Sequence, residues 1–97
     1  MMEIEQRIYN GNRAKEVLEN EAFQWALYEI KQEIKNAWEQ SPARDSEGRE
    51  KLWMMLSLAN KLELLIKSML ETGKLAQLDL EHKRTLLERA KNAISGF

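Results

Sequence analysis

Apolar residues recur in alternating steps of four and three along two stretches of the chain. Phe23, Leu27, Ile30, Ile34 and Ala37 mark one helical stripe, and Leu52, Met55, Ala59, Leu62 and Ile66 mark a second. Across an antiparallel pair of helices, facing residues have numbers that add to a constant. Here 37 with 52, 34 with 55, 30 with 59, 27 with 62 and 23 with 66 all add to 89. This register sets Ala37 against Leu52 and Ile30 against Ala59, small against large, as a close-packed core requires.

The flanking residues extend that picture. Residues 1–12 predict an N-terminal arm, with the apolar spacing of residues 1–9 fitting either one turn of helix or a short extended segment, that ends in the turn Tyr9-Asn10-Gly11-Asn12, with Asn12 as the N-cap of a first long helix over 13–40. Pro42 marks the connection, and Asp45 or Ser46 caps a second helix over 46–72. Gly73 is placed to close that helix, residues 75–78 form a loop or one extra turn, and Asp79 caps a third helix over 80–95. Leu80, Leu87, Ala90, Ile94 and Phe97 share one face of it. The expected fold is therefore all-α: an antiparallel hairpin of two long helices plus a shorter C-terminal third helix, with residues 13–97 forming a single helical domain.

One hairpin leaves apolar surface over. Val17, Leu18, Ala22, Trp25 and Tyr28 widen the first stripe, and from residue 22 to 28 only Gln24 is polar. A helix that is apolar nearly all round needs cover on several sides, from a third helix or a second subunit.

Composition narrows the function. Ninety-seven residues suit one domain, and 43% hydrophobic with 32% charged residues, one proline and four glycines describe a helix-rich globular chain. No cysteine is present, which excludes a disulfide scaffold or thiolate metal site and fits a reducing compartment. The opening MMEIEQRIY mixes acids among its apolar residues, unlike a signal peptide, and no apolar run approaches the roughly 20 residues that span a bilayer. An intracellular, soluble protein with no membrane partner is expected.

The net charge of −1 provides no overall field, but its distribution is uneven. Residues 1–40 carry five basic and eight acidic groups, whereas residues 73–97 carry five basic and three acidic. Lys83, Arg84, Arg89 and Lys91 are thus the candidate nucleic-acid contacts, although Glu81 and Glu88 interrupt them and no aromatic residue is interleaved.

Catalytic chemistry has little support. His82 is the only histidine, and with Asp79 it does not complete a coordination shell. The two Glu-x-x-His motifs of a di-metal bundle are missing. Glu29 and Glu33 lie one turn apart, but Lys31 and Lys35 alternate with them as on a solvated face. The glycines are isolated and form no phosphate loop. No catalytic, cofactor-binding or metal residue is assigned, and the chain is expected not to be an enzyme. Trp25, Tyr28 and Trp53 are the candidate protein interface, because three tryptophans are many for this length and aromatics concentrate where proteins meet.

The runs RAKEVLENEAF, WEQSPARDSEGREKLW and ETGKLA resemble a class of small helical proteins encoded in tailed-bacteriophage genomes, typically of undefined function and often near head or packaging genes. The resemblance covers residues 13–77 and implies a phage origin, with a place in the host cytoplasm or in the virion. No functional residue carries over from it. The expected function is that of a non-enzymatic interaction protein, homo-oligomeric and binding a viral or host protein through helical apolar surfaces. The alternative is a nucleic-acid-binding or DNA-packaging adaptor that uses the basic C-terminal helix.

Overall fold

The structure is a computed structural model and describes residues 3–95. Phe97, placed by periodicity on the face of the last helix, and the first two residues of the expected arm lie outside the described residues. Among those described, the chain is all-α, with α1 at Ile4–Glu19, α2 at Glu21–Gln40 and α3 at Ser46–Ser95.

Three expectations need correction. The arm over residues 1–12 is helical from Ile4 onward, and Gly11, assigned to a turn, is buried in the middle of α1. The helix expected over 13–40 is broken at Asn20, whose backbone is extended (φ −73°, ψ 119°). The Asn20 side chain accepts a hydrogen bond from the Phe23 amide at 2.9 Å, so it acts as the N-cap of α2. Gln24 Nε2 then donates to the Leu18 carbonyl at 2.6 Å, satisfying an acceptor that the end of α1 leaves free.

The third correction is the largest. There is no shorter C-terminal helix, because α3 runs through Thr72-Gly73-Lys74 without a break. Gly73 does not adopt a positive φ, and Asp79 pairs with Lys83 at 3.3 Å inside the helix instead of capping a new one. A glycine within a helix is disfavoured by only about 1 kcal/mol, which a tertiary contact can outweigh. Here that contact is Gly11. A Cβ built on Gly11 would lie 2.8 Å from the Gly73 Cα, so the two helices meet backbone to backbone.

At the other end, the turn forms as its residues predict. Ser41 Oγ donates to the Trp38 carbonyl at 2.6 Å and closes α2, Asp45 N donates to the Pro42 carbonyl at 2.9 Å, and Asp45 Oδ1 accepts from Gly48 N at 3.1 Å to cap α3. Beyond this turn the partners descend along α3: Arg49 lies over the Trp38 ring, Lys31 meets Glu63, and Gly11 meets Gly73. Their numbers add to 87, 94 and 84, so the constant of 89 does not describe these contacts. The break at Asn20 separates the helix that meets Gly73 from the helix that meets Glu63.

The result is long and thin, 81 × 25 × 16 Å with a radius of gyration of 22.0 Å. A compact chain of this length would have about 13 Å. Among the described residues, the buried apolar side chains are only Ala14, Leu27, Ile34 and Ala76. Every residue from 81 to 95 is exposed, so α3 projects beyond α1 by about 22 Å at 1.5 Å per residue.

Candidate protein-interaction surface

The surface follows from how α3 distributes its apolar residues. Leu52, Ala59, Ile66, Gly73 and Leu80, each seven apart, are buried or half-buried against α1 and α2, with Leu56, Glu63, Leu70 and Gln77 beside them. This is a seven-residue seam of the coiled-coil kind. It continues as Leu87 and Ile94, which lie beyond α1 and are exposed.

A second row accompanies it. Met55, Leu58, Leu62, Leu65 and Met69 recur with steps of three and four, contain no charge and are 42–69% exposed. Met55 and Leu62 were expected to face the first helical stripe. One residue is about 100° of helix, so Met55 and Leu62 lie well round the helix from Leu56 and Glu63, which take the inward position. The same offset applies on α2: Leu27 and Ile34 are buried, Lys31 is half-buried, and Ile30 is 49% exposed.

These offsets share a side. Lys31 and Glu63 meet at 3.3 Å on one flank of the α2–α3 pair. Because the two helices run in opposite senses, stepping back one residue on each crosses to the other flank on both. Ile30 and Leu62 therefore belong to one apolar flank, and the ion pair belongs to its opposite.

The opposite flank is mixed in character. Glu63 accepts from Lys67 at 3.1 Å and from Lys31 at 3.3 Å, so one carboxylate bridges two ammonium groups. The hydrogen bond from Lys67, reinforced by that from Lys31 and opposed by partial desolvation, holds the Glu63 carboxyl below the usual carboxylate range. Among the described residues, Lys31–Glu63 is the ion pair that joins two helices; the others lie within a helix.

Trp25, Tyr28 and Trp53 are all exposed, at 64%, 55% and 61%. They do not form one cluster. Trp25 and Tyr28 meet edge to face with centroids 6.0 Å apart, near the start of α2. Trp53 lines a shallow hollow at the turn end with Ile34, Trp38, Leu52 and Leu56, where the Arg49 guanidinium lies 4.2 Å over the Trp38 ring. Tyr28 and Trp38 are ten residues apart, about 15 Å along the helix.

The four basic candidates also divide. Arg84 and Lys91 are seven residues apart and project from the same side of α3, Lys83 is held by Asp79, and Arg89 points to a different side by helical spacing. Among the described residues no group of three or more His, Asp or Glu could hold a metal ion, and no helix is long and apolar enough to cross a membrane.

Periodicity alone places Leu58 and Leu65 beside the stripe but does not mark them, with Met69, as members of one open row, nor Gly11 as a packing residue. The seven-residue spacing through Gly73 was the available signal for a continuous α3. Fold and surface together define an extended all-α protein with two contrasting flanks. No protein-family model, curated protein or solved structure matches the chain.

Proposed function

We propose that this is a non-enzymatic interaction protein of bacteriophage type, which binds itself and a viral or host protein through its helical apolar surfaces. One observation carries the reading: large apolar side chains line both flanks of the α2–α3 pair, while among the described residues the only buried apolar side chains are those of Ala14, Leu27, Ile34 and Ala76. Exposed apolar surface on this scale marks sites of association. In this reading α2 and the first half of α3 act as an antiparallel hairpin, and the protein works in the host cytoplasm or in the virion. The exposed aromatic residues at the two ends of the α2–α3 pair, Trp25 with Tyr28 and Trp53 beside Trp38, receive the partner protein, since Trp and Tyr supply large contact area with a polar edge.

The test is capture from phage-infected host lysate by the immobilised protein, repeated with the triple variant Trp25→Ala, Tyr28→Ala, Trp53→Ala. The expected result is a specific captured protein that the triple variant loses while its helical circular dichroism is retained. Equal capture by both would overturn the assignment of these aromatic residues.

The placement of Arg84 and Lys91 on one side of the projecting helix favours a second reading, a nucleic-acid or DNA-packaging adaptor. A gel shift with duplex DNA at low salt, compared with a variant lacking Lys83, Arg84, Arg89 and Lys91, decides it. No shift by the parent protein removes this reading.

A further inference from the structure

We infer that the open row Met55, Leu58, Leu62, Leu65 and Met69 seats a second copy of this chain, with the two α3 helices antiparallel across it. This deepens the self-binding half of the function proposed above and rests on it.

The direction of the apolar residues is the first argument. In a helix pair that is complete by itself, each apolar stripe points at its one partner. On α3 the stripe is split between residues that face α1 and α2, such as Leu52, Leu56 and Ile66, and the exposed row beside them. A stripe that divides between two directions belongs to a helix with two neighbours, as in a four-helix bundle. The chain itself provides only one of those neighbours at each level. Ile30 of α2 lies on the same flank, so the unfilled side spans both helices.

Area is the second argument. The accessible surface is 8087 Å², whereas a compact monomer of 11.4 kDa would expose about 5,800 Å². The excess of roughly 2,300 Å² is well above the ~800 Å² that a standard interface takes from each partner. That excess is spread over the elongated chain, residues 81–95 of α3 included, and the open row is one part of it.

The third argument is self-complementarity. A two-fold interface sets the same patch against itself, so its layers occur in mutual pairs. Laid antiparallel, the row places Leu58 against Met69 of the second copy and Leu62 against its Leu65, each layer recurring on the other side of the axis, and Met55 faces Thr72 at either end. Every member is large and none is charged. Along the rim the same register sets Met54 beside Leu75 and Lys61 beside Ser68, so lysines do not oppose one another. The seam against α1 and α2 adjoins this row directly, which makes the new interface continuous with the existing packing.

The absence of cysteine from the chain permits a direct test. Leu58→Cys and Met69→Cys variants are prepared separately, mixed, and oxidised mildly. The mixture is expected to yield a disulfide-linked dimer between the two variants, while neither variant cross-links to itself, because its two copies stand eleven residues apart in register. Self-linking of each variant alone, or no linking in the mixture, overturns the antiparallel pairing. In parallel, light scattering of the parent protein at high micromolar concentration is expected to give twice 11.4 kDa. Leu62→Glu, and independently Leu58→Lys at a more exposed position, should give monomer with helicity retained. A monomeric parent protein sinks the inference, as does a dimer indifferent to both substitutions. Capture of another protein by a monomeric parent would leave the interaction reading standing while this inference falls; no capture and no dimer would end both.

Discussion

Gly11 of α1 and Gly73 of α3 meet with no side chain between them: a Cβ added to either would lie 2.8 Å from the other's Cα. The neighbouring backbone is nearly as close, since a Cβ on Gly73 would lie 3.0 Å from the Arg7 carbonyl oxygen. Ala14 and Ala76, each three residues on, are buried beside them. Small residues at this crossing let α1 approach α3 closely enough to dock at all.

Gly73→Ala and Gly11→Ala test that crossing. Within a helix, glycine to alanine is intrinsically stabilising by about 1 kcal/mol. Here the added methyl meets backbone, which cannot swing aside, so a net loss of about 1–3 kcal/mol is expected in urea melts followed by circular dichroism. A net gain at both positions would show that the helices are not in this contact.

Leu27 and Ile34 hold α2 on α3, whereas Ile30 between them does not. Leu27→Ala and Ile34→Ala should each destabilise by about 2–5 kcal/mol, as truncation of a buried aliphatic residue does. Ile34→Asp should abolish cooperative unfolding, because an unpaired carboxylate would be buried. Ile30→Asp, on the exposed flank, should retain helicity. The reverse ranking by circular dichroism would place the core on the other face of α2.

The two caps are separable from packing. Asn20→Ala removes the acceptor for Phe23 N, and Asp45→Ala removes the acceptor for Gly48 N. Each should lower stability by about 0.5–2 kcal/mol, with Asn20→Gly nearer the parent protein. Equal melts for parent and both alanine variants would remove the capping roles.

Glu63 makes stability depend on acidity. Its carboxyl is held below the usual range, so the unfolded chain binds this proton more readily than the folded one. The contribution is complete above the unfolded value of about 4.3 and is lost as pH falls through the lower folded value. Glu63→Gln should flatten this part of the profile of urea midpoint against pH, and Lys67→Met should reduce it. An unchanged acid limb in Glu63→Gln would rule out this carboxylate as its source.

How much of this was legible in the sequence depends on the range of the interaction. The all-α class, the turn at residues 41–45 and the Asp45 cap follow from local rules that a few neighbouring residues satisfy, and each is present. The stripes were legible as stripes, since Leu27, Ile34, Leu52 and Ala59 are where the helical period puts them. Their direction was not. Ile30, Met55 and Leu62 satisfy the same period as their buried neighbours, and only the position of the opposing helix separates half-exposed from buried.

Glycine shows the same division. Locally, Gly11 reads as part of a turn and Gly73 as a helix stop, because each residue lacks a Cβ and tolerates unusual backbone angles. In the tertiary structure both are helical, and the missing Cβ serves instead to admit another backbone. By itself the amino-acid sequence determined the helical class, the Asp45 cap and the presence of more apolar surface than one helix pair can cover, whereas Asn12 and Asp79, expected as caps, lie inside helices. The tertiary structure decided that α3 continues past Gly73, that α1 docks there, and that Met55 to Met69 remain open. The reason is that periodicity specifies a face relative to its own helix axis, whereas burial depends on which other helix, in this chain or another, lies against that face.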